Sequence, residues 1–552
     1  MTTPQSTPPG STSGSPAASW LQRVLRSLRP THTHSVFSAT VVLMASVFLS
    51  RIIGLVRNTY VAWLFGRGMQ ADALNAAFAL PDMILYFLVG GAASITFVTI
   101  LTQYRDTGRE AEGNRSLSVI LTTMYLILGV AILIAELLAP VYVHHMFPGF
   151  SAQTADLCII LTRILLPQPL FIFAGGVFGA VLLVRKQFTI QAVTPLVYNL
   201  GTIFGGVLLV KHLGASSLAL GTVAGAFLGP FFLNWYFARR AGTRYTPILD
   251  WHDEGLRQWV RMSLPLIIGV SLVSADNWII QHFASNFQGG VTLMTYAKVL
   301  FTAPMAMLGQ AAGSASMPFF ASLWSQNRRF EFANSVADSV SRVACLGLLA
   351  ASAIVPFGIQ LVSLIFVHGR FHAADAIPCA AYFAVFSLSL FLWCAQAIYA
   401  RAFYAAGDTF TPMAASTVVT LVSLPIYAAL FHTFGGMGLA VASDIGIALQ
   451  TLTIALLLHQ RHMVSLASLD FREFGRCLLA ALTGAGLLWL IFSVIGGYLA
   501  RHYAAQLPRP SHWTDLAVLV AGSLLWLLVT DRILMRTGSA LPRVARKRLG
   551  LA

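Results

Sequence analysis

Apolar residues run along this 552-residue chain in long blocks, broken at short intervals by clusters of Arg, Gly, Pro and Asp. A helix needs ~20 mainly apolar residues to cross ~30 Å of hydrocarbon, and only helices or closed barrels satisfy their backbone there. The blocks predict about fourteen transmembrane helices, the first over residues 36–65 and the last over 513–531. The fold class is therefore all-α integral membrane.

An internal repeat organises these helices. Leu213-Gly214-Ala215, Leu218-Ala219 and Gly225 reappear as Phe434-Gly435-Gly436, Leu439-Ala440 and Gly446, while Phe188-Thr189 returns as Phe410-Thr411. Pro81, Gly90, Ala92 and Phe97 match Pro304, Gly313, Ala315 and Phe320. The offset spans six helices, an even number, so both copies share one orientation and are related by a pseudo-twofold along the membrane normal. The expected organisation is an N-lobe over 36–240, a C-lobe over 256–461, and two extra C-terminal helices over 471–535. Basic tails flank them at 1–35 and 536–552. The first tail is rich in Ser, Thr, Pro and Gly and lacks the apolar core of a cleaved signal peptide; disorder is expected.

Composition excludes a soluble protein: 57% of residues are hydrophobic, 10% are charged, and mean hydropathy is +0.73. A net charge of +15 would suggest nucleic acid in a soluble chain. Here position matters more. With the N-terminus placed inside, 24 of the 35 Lys and Arg fall on the cytoplasmic side and five outside. This asymmetry predicts that both termini are cytoplasmic and that the number of spans is even. The five cysteines all lie in apolar runs without metal-type spacing, as small core residues do. His368 and His372 are four apart, but Gly369 breaks the helix a metal site would need, so no metal is expected.

Arg51 and Arg57 sit inside the first apolar run. A cation at the centre of a span costs ~2.5–3.5 kcal/mol, so such residues usually face water or a partner. Two in one helix predict a pathway for something anionic. Asp276 and Asp444 lie deep in spans of the second lobe, where a carboxylate pair could couple transport to Na⁺, H⁺ or membrane potential; the alternative is packing carboxylates held by Ser, Thr or backbone. Pro81, Gly90, Gly91, Pro304 and Gly313 lie in spans that the repeat equates. Pro removes a helical hydrogen bond, so these are candidate gating positions, although small residues can also serve only close packing.

The run Ser50-Arg51-Ile52-Ile53-Gly54-Leu55-Val56-Arg57, with Leu64-Phe65-Gly66, Gly68-Met69, Ala71-Asp72-Ala73 and Leu80-Pro81-Asp82, resembles the opening of the MurJ (MviN) lipid II flippases. Gly179-Ala180 to Phe188, Pro195, Asn199, His368-Gly369-Arg370-Phe371 and Phe403-Tyr404 through Asp408 to Thr411-Pro412 are similar to later signatures of that family. The likeness extends over about residues 36–460. It implies fourteen helices around a central cationic cavity, in a larger group of multidrug and polysaccharide-lipid exporters. It also implies a substrate of undecaprenyl diphosphate bearing a sugar-peptide headgroup, and residence in the bacterial cytoplasmic membrane.

Residue by residue, Arg51, Arg57 and Asp72 match the family's charged positions. The second helix does not: Leu80-Pro81-Asp82-Met83-Ile84-Leu85-Tyr86 lacks the family's arginine. The eighth helix reads Tyr296-Ala297-Lys298-Val299-Leu300, without the family's acids and arginine. Lys298 would restore one cation, making Arg51, Arg57 and Lys298 a diphosphate clamp, with Asn58 and Asp72 completing the expected substrate-binding set. The expected function is a non-enzymatic, monomeric flippase of lipid II working by alternating access, without cofactor or nucleic-acid partner. The alternatives are an exporter of another polyprenyl-diphosphate-linked glycan and a non-transporting scaffold relative. An integral-membrane glycosyltransferase would need a larger outer segment and leaves the repeat unused.

Overall fold

The computed structural model describes residues 36–89, 93–185, 187–268, 272–503 and 512–543. The first tail, residues 544–552 of the second, Gly90 and Gly91 lie outside these. Among the described residues every regular element is helical.

The helix Glu110–Met146 shows how the apolar runs resolve. Leu117, Leu121, Met124, Leu128 and Ile132 are buried, while Leu126, Val130, Leu133, Leu137 and Val141 are exposed at 49–78%. Both sets recur every three or four residues, so one stripe packs inward and the other presents hydrocarbon to lipid. Among the described residues ten helices are long and apolar enough to cross a membrane, or eleven when Ala373–Leu388 and Leu390–Ala405, bent by 45°, are taken as one span. The expected count is fourteen. Part of the difference arises because Phe410–Gln460 joins two of the expected spans across Gly435, and because Val36–Phe65 and the pair Glu254–Ile268 and Leu272–Ala284 stand outside the ten.

The repeat has a direct structural counterpart in turn glycines. Gly214 (φ 52°, ψ −132°) ends the helix Phe188–Leu213, and Gly435 takes nearly the same conformation (φ 58°, ψ −137°). Gly66 (φ 59°) and Gly289 (φ 74°) are paired likewise. Side chains rarely adopt these angles, so the sequence repeats glycine where the fold repeats its turns. Pro81 and Pro304 are each followed by a π-helical turn, Leu85–Val89 and Ala306–Gln310. Such turns widen a helix and mark points where it can bend.

The apolar cores show how the lobes meet. One cluster joins Val61, Phe65, Leu74, Val143 and Leu161 of the first lobe to Tyr296, Phe366, Phe371 and Tyr427 of the second. These first-lobe residues lie near the arginine-poor loops. Toward the arginine-rich loops the first lobe has its own core, with Phe97, Leu117, Phe173 and Phe178. The lobes are thus fused on one side and separate on the other. Leu256 and Trp259 of the helix Glu254–Ile268, expected in the C-lobe over 256–461, pack in the first-lobe core, whereas Leu272–Ala284 packs in the second. The seventh span crosses between lobes, because its two halves expose different apolar faces.

Helices Phe188–Leu213 and Ser216–Ala226 touch through glycine. A Cβ on Gly205 would lie 2.5 Å from the Gly221 Cα, and one on Gly221 would lie 2.5 Å from the Gly201 carbonyl oxygen. Small residues allow this backbone contact in a membrane. Gly221→Val is expected to cost about 1–3 kcal/mol or more, since a backbone atom cannot move aside. Thermal unfolding in nanodiscs checks this; Gly129→Val, whose Cβ meets nothing within 4 Å, is the control expected to leave stability unchanged.

Candidate functional site: charged groups between two lobes

The helix Val36–Phe65 carries Arg51 exposed, Arg57 half-buried and Asn58 buried. Six residues at 3.6 per turn place the two arginines about 120° apart on the helix, so a group reaching both must lie along its flank. Neither arginine makes a hydrogen bond or ion pair among the described residues. Arg57 nevertheless acts electrostatically on Asp82 and Tyr198, and Gln168 Nε2 donates to the Tyr198 hydroxyl at 3.1 Å. Asp82 is exposed and, among the described residues, has no cation within ion-pair distance. The sequence registered it only within the Leu80-Pro81-Asp82 segment of the family resemblance, with no role assigned. An acid following Leu-Pro inside an apolar run was the available signal.

Asp72, expected in the substrate-binding set, makes contacts between the lobes. It is buried in the helix Met69–Ala77 of the first lobe and reaches the second. Gly289 N–H donates to Oδ2 at 2.9 Å; Thr292 N–H and Oγ1 donate to Oδ1 at 2.8 and 2.6 Å. The helix Gly290–Met305 has no side-chain cap from its own N-cap residue. Asp72 supplies that cap from the other lobe, where a carboxylate also meets the positive end of the helix dipole. The surrounding contacts are of the same kind. Arg67 pairs with Asp375 at 2.8 Å, Arg370 N–H donates to the Trp63 carbonyl at 3.1 Å, and His282 Nδ1 meets the Met146 carbonyl at 2.8 Å. Gly66 and Gly369 admit the crossing, since a Cβ on either would lie within 2.4 Å of a carbonyl oxygen in the opposite segment. These contacts form a latch on the arginine-poor side.

Lys298, the third cation of the expected clamp, has an acidic neighbour. Its ammonium pairs with Asp276 Oδ2 within the second lobe. Tyr427 donates to Asp276 Oδ1, and Ser443 Oγ donates to Oδ2 at 3.1 Å. Asp444 lies in the same group, close to Ser389 at the bend between Ala373–Leu388 and Leu390–Ala405, and it feels both Asp276 and Lys298. Its Oδ1 is buried without a hydrogen-bond partner among the described residues. The two acids named from sequence are therefore neighbours, with one lysine between two carboxylates. Such a cluster has capacity for a further proton or cation.

Among the candidate gating positions, Pro81 and Pro304 precede the two π turns, and Gly313 packs against Arg401: a Cβ there would lie 2.7 Å from the Arg401 Nη1. Asp408, in the loop before Phe410, accepts from Thr411 N–H at 2.9 Å and Thr411 Oγ1 at 2.7 Å and pairs with Arg461. Partial burial pushes its carboxyl up, but the Thr411 bonds and Arg461 outweigh this and hold it below its usual value.

Two lobes, paired turns and intramembrane cations agree with the chain's relatives. The family described as "Lipid II flippase MurJ" matches residues 61–506. A protein of Haemophilus influenzae named "Probable lipid II flippase MurJ" is 26% identical over 509 residues, 87% of this chain and 97% of that protein. A Burkholderia cenocepacia protein named "Lipid II flippase MurJ" is 25% identical over 82% of this chain and 90% of its own length. Among solved structures, "Lipid II flippase MurJ, inward closed conformation" superposes with a TM-score of 0.72 at 18% identity, covering 90% of this chain and 99% of that one. An inward-facing multidrug MATE transporter gives 0.63 at 15% identity, over 77% and 98% of the two chains. The match across residues 61–506 places this chain in the lipid II flippase MurJ family.

Proposed function

We propose that this protein moves lipid II, an undecaprenyl diphosphate carrying a sugar-peptide headgroup, from the cytoplasmic to the outer leaflet of the bacterial inner membrane by alternating access. The observation that carries the reading is a pair of intramembrane arginines, Arg51 and Arg57, without ion-pair partners among the described residues. A diphosphate cannot cross hydrocarbon alone, and guanidinium groups offer it charge-assisted, bidentate hydrogen bonds. Arginine side chains are long enough to bring groups 120° apart on a helix to one headgroup.

In this scheme the arginine-rich side is cytoplasmic, both termini lie there, and a monomer suffices. Headgroup enters where the lobes are separate, and the latch around Asp72 opens in the outward-facing state. The Asp276–Lys298–Asp444 cluster couples the lobe movement to Na⁺, H⁺ or membrane potential. Asp82 beside Arg57 and the pairing of Lys298 favour a second reading, export of a different polyprenyl-diphosphate-linked glycan, because both lower the positive charge available to a diphosphate.

Complementation tests the choice. In a bacterium depleted of its own lipid II flippase, the chain is expected to restore growth, with Arg51→Ala and Arg57→Ala each losing rescue at equal membrane expression. Failure of the wild-type chain despite good expression would favour the other glycan.

A further inference from the structure

Arg401 is a membrane cation that the reading above does not use. It lies in the helix Leu390–Ala405, four residues or ~6 Å from its end on the arginine-rich side. Nη1 donates to the Ala397 carbonyl at 2.9 Å, and Nη2 donates to Ser314 Oγ at 3.2 Å. Both acceptors are neutral. No carboxylate lies within ion-pair distance among the described residues. A guanidinium has five N–H donors, so most of its fork remains unused. The guanidinium has room only because residue 313 is glycine: an added Cβ would fall 2.7 Å from Nη1 and 2.8 Å from Cζ.

Its surroundings place it at the seam between lobes. Tyr404, nearly one turn further along the helix, feels both Arg401 and Tyr86 of the first lobe. Tyr86 packs edge-on against Trp278 of the second lobe, ring centroids 5.5 Å apart. Tyr86 in turn lies one turn beyond Asp82, the acid that faces Arg57.

We propose that Arg401 is a diphosphate-binding residue at the cytoplasmic mouth of the interlobe cleft, receiving the lipid-linked diphosphate before Arg57 and Arg51 do. The inference rests on the lipid-diphosphate reading above. A simple brace between helices would need only hydrogen-bond donors to Ala397 and Ser314, which a neutral amide provides. A half-buried cation without a counter-ion is costly, and a bound diphosphate is the anion that completes it.

Binding of undecaprenyl diphosphate, lacking sugar and peptide, to the purified full-length protein in detergent tests this. Arg401→Gln is expected to weaken binding at least ~10-fold, a loss of one charge-assisted contact, with Arg401→Lys in between and an unchanged unfolding temperature. Gly313→Ala, which keeps the charge but displaces it, is expected to weaken binding as well; it decides the matter if Arg401→Gln does not fold. Wild-type affinity in the folded variants overturns the assignment. So does weaker binding that merely follows a lower unfolding temperature. Failure of the wild-type protein to bind this lipid overturns instead the reading on which the assignment rests.

Discussion

Lys298→Met is expected to destabilise the protein by about 3–5 kcal/mol, the usual effect of removing one partner from a buried ion pair. The side chains of Lys298 and Asp276 are only 15% and 2% exposed, so little water is available to replace the lost ammonium. Asp276 would keep its bonds from Tyr427 and Ser443 but would stand as an uncompensated charge beside Asp444. The double variant Lys298→Met with Asp276→Asn removes that charge and is expected to recover most of the loss, since a neutral amide can still accept from Tyr427. Thermal unfolding in nanodiscs compares them. Equal unfolding temperatures for wild type and Lys298→Met would mean that the lysine is free for substrate, as the sequence alone suggested.

Asp72→Ala is expected to release the latch and shift the protein toward a state open on the arginine-poor side. The carboxylate accepts three hydrogen bonds from Gly289 and Thr292, each worth ~1.5–3 kcal/mol for a charged partner. Even a net loss of about 3 kcal/mol changes the ratio of two lobe arrangements by on the order of 100-fold. Asn75, whose Nδ2 lies 3.4 Å from Thr292 Oγ1, is a reporter in the same contact. The five native cysteines are buried, so Asn75→Cys can be labelled from outside with an impermeant maleimide. Labelling should rise at least ~10-fold with Asp72→Ala. An unchanged rate would show that the aromatic and apolar contacts hold this side closed without Asp72.

The architecture was legible because its signals are periodic. Apolar runs mark helices wherever they lie, and a duplicated lobe repeats its turn glycines, so Gly214 and Gly435 could be matched before their shared backbone angles were known. The tertiary pairings were not legible in this way. Lys298 and Asp276 are 22 residues apart on different helices, and no spacing rule distinguishes that partnership from one between Lys298 and Arg51's substrate. Asp72 matched a family position, but two of its three bonds come from the backbone N–H groups of Gly289 and Thr292, which carry no side-chain signature, and the third from a Thr292 hydroxyl 220 residues away in sequence. The exchange of the seventh span between lobes depends on which face of Trp259 and Leu256 finds a partner. Arg401 sits in no motif and is one of the six Lys and Arg, of 35, that the charge count assigns to neither side; Gly313, which admits it, is legible only as a candidate gating position.

The central claim is that Arg51 and Arg57 carry a lipid-linked diphosphate across the membrane. The most direct measurement reconstitutes the purified protein into vesicles with lipid II in the inner leaflet and follows its arrival outside with an impermeant headgroup-modifying reagent. Wild-type protein should expose lipid II faster than empty vesicles, and the Arg51→Ala, Arg57→Ala double variant should return the rate to that of empty vesicles while retaining its unfolding temperature. Equal rates for wild type and double variant would contradict the account.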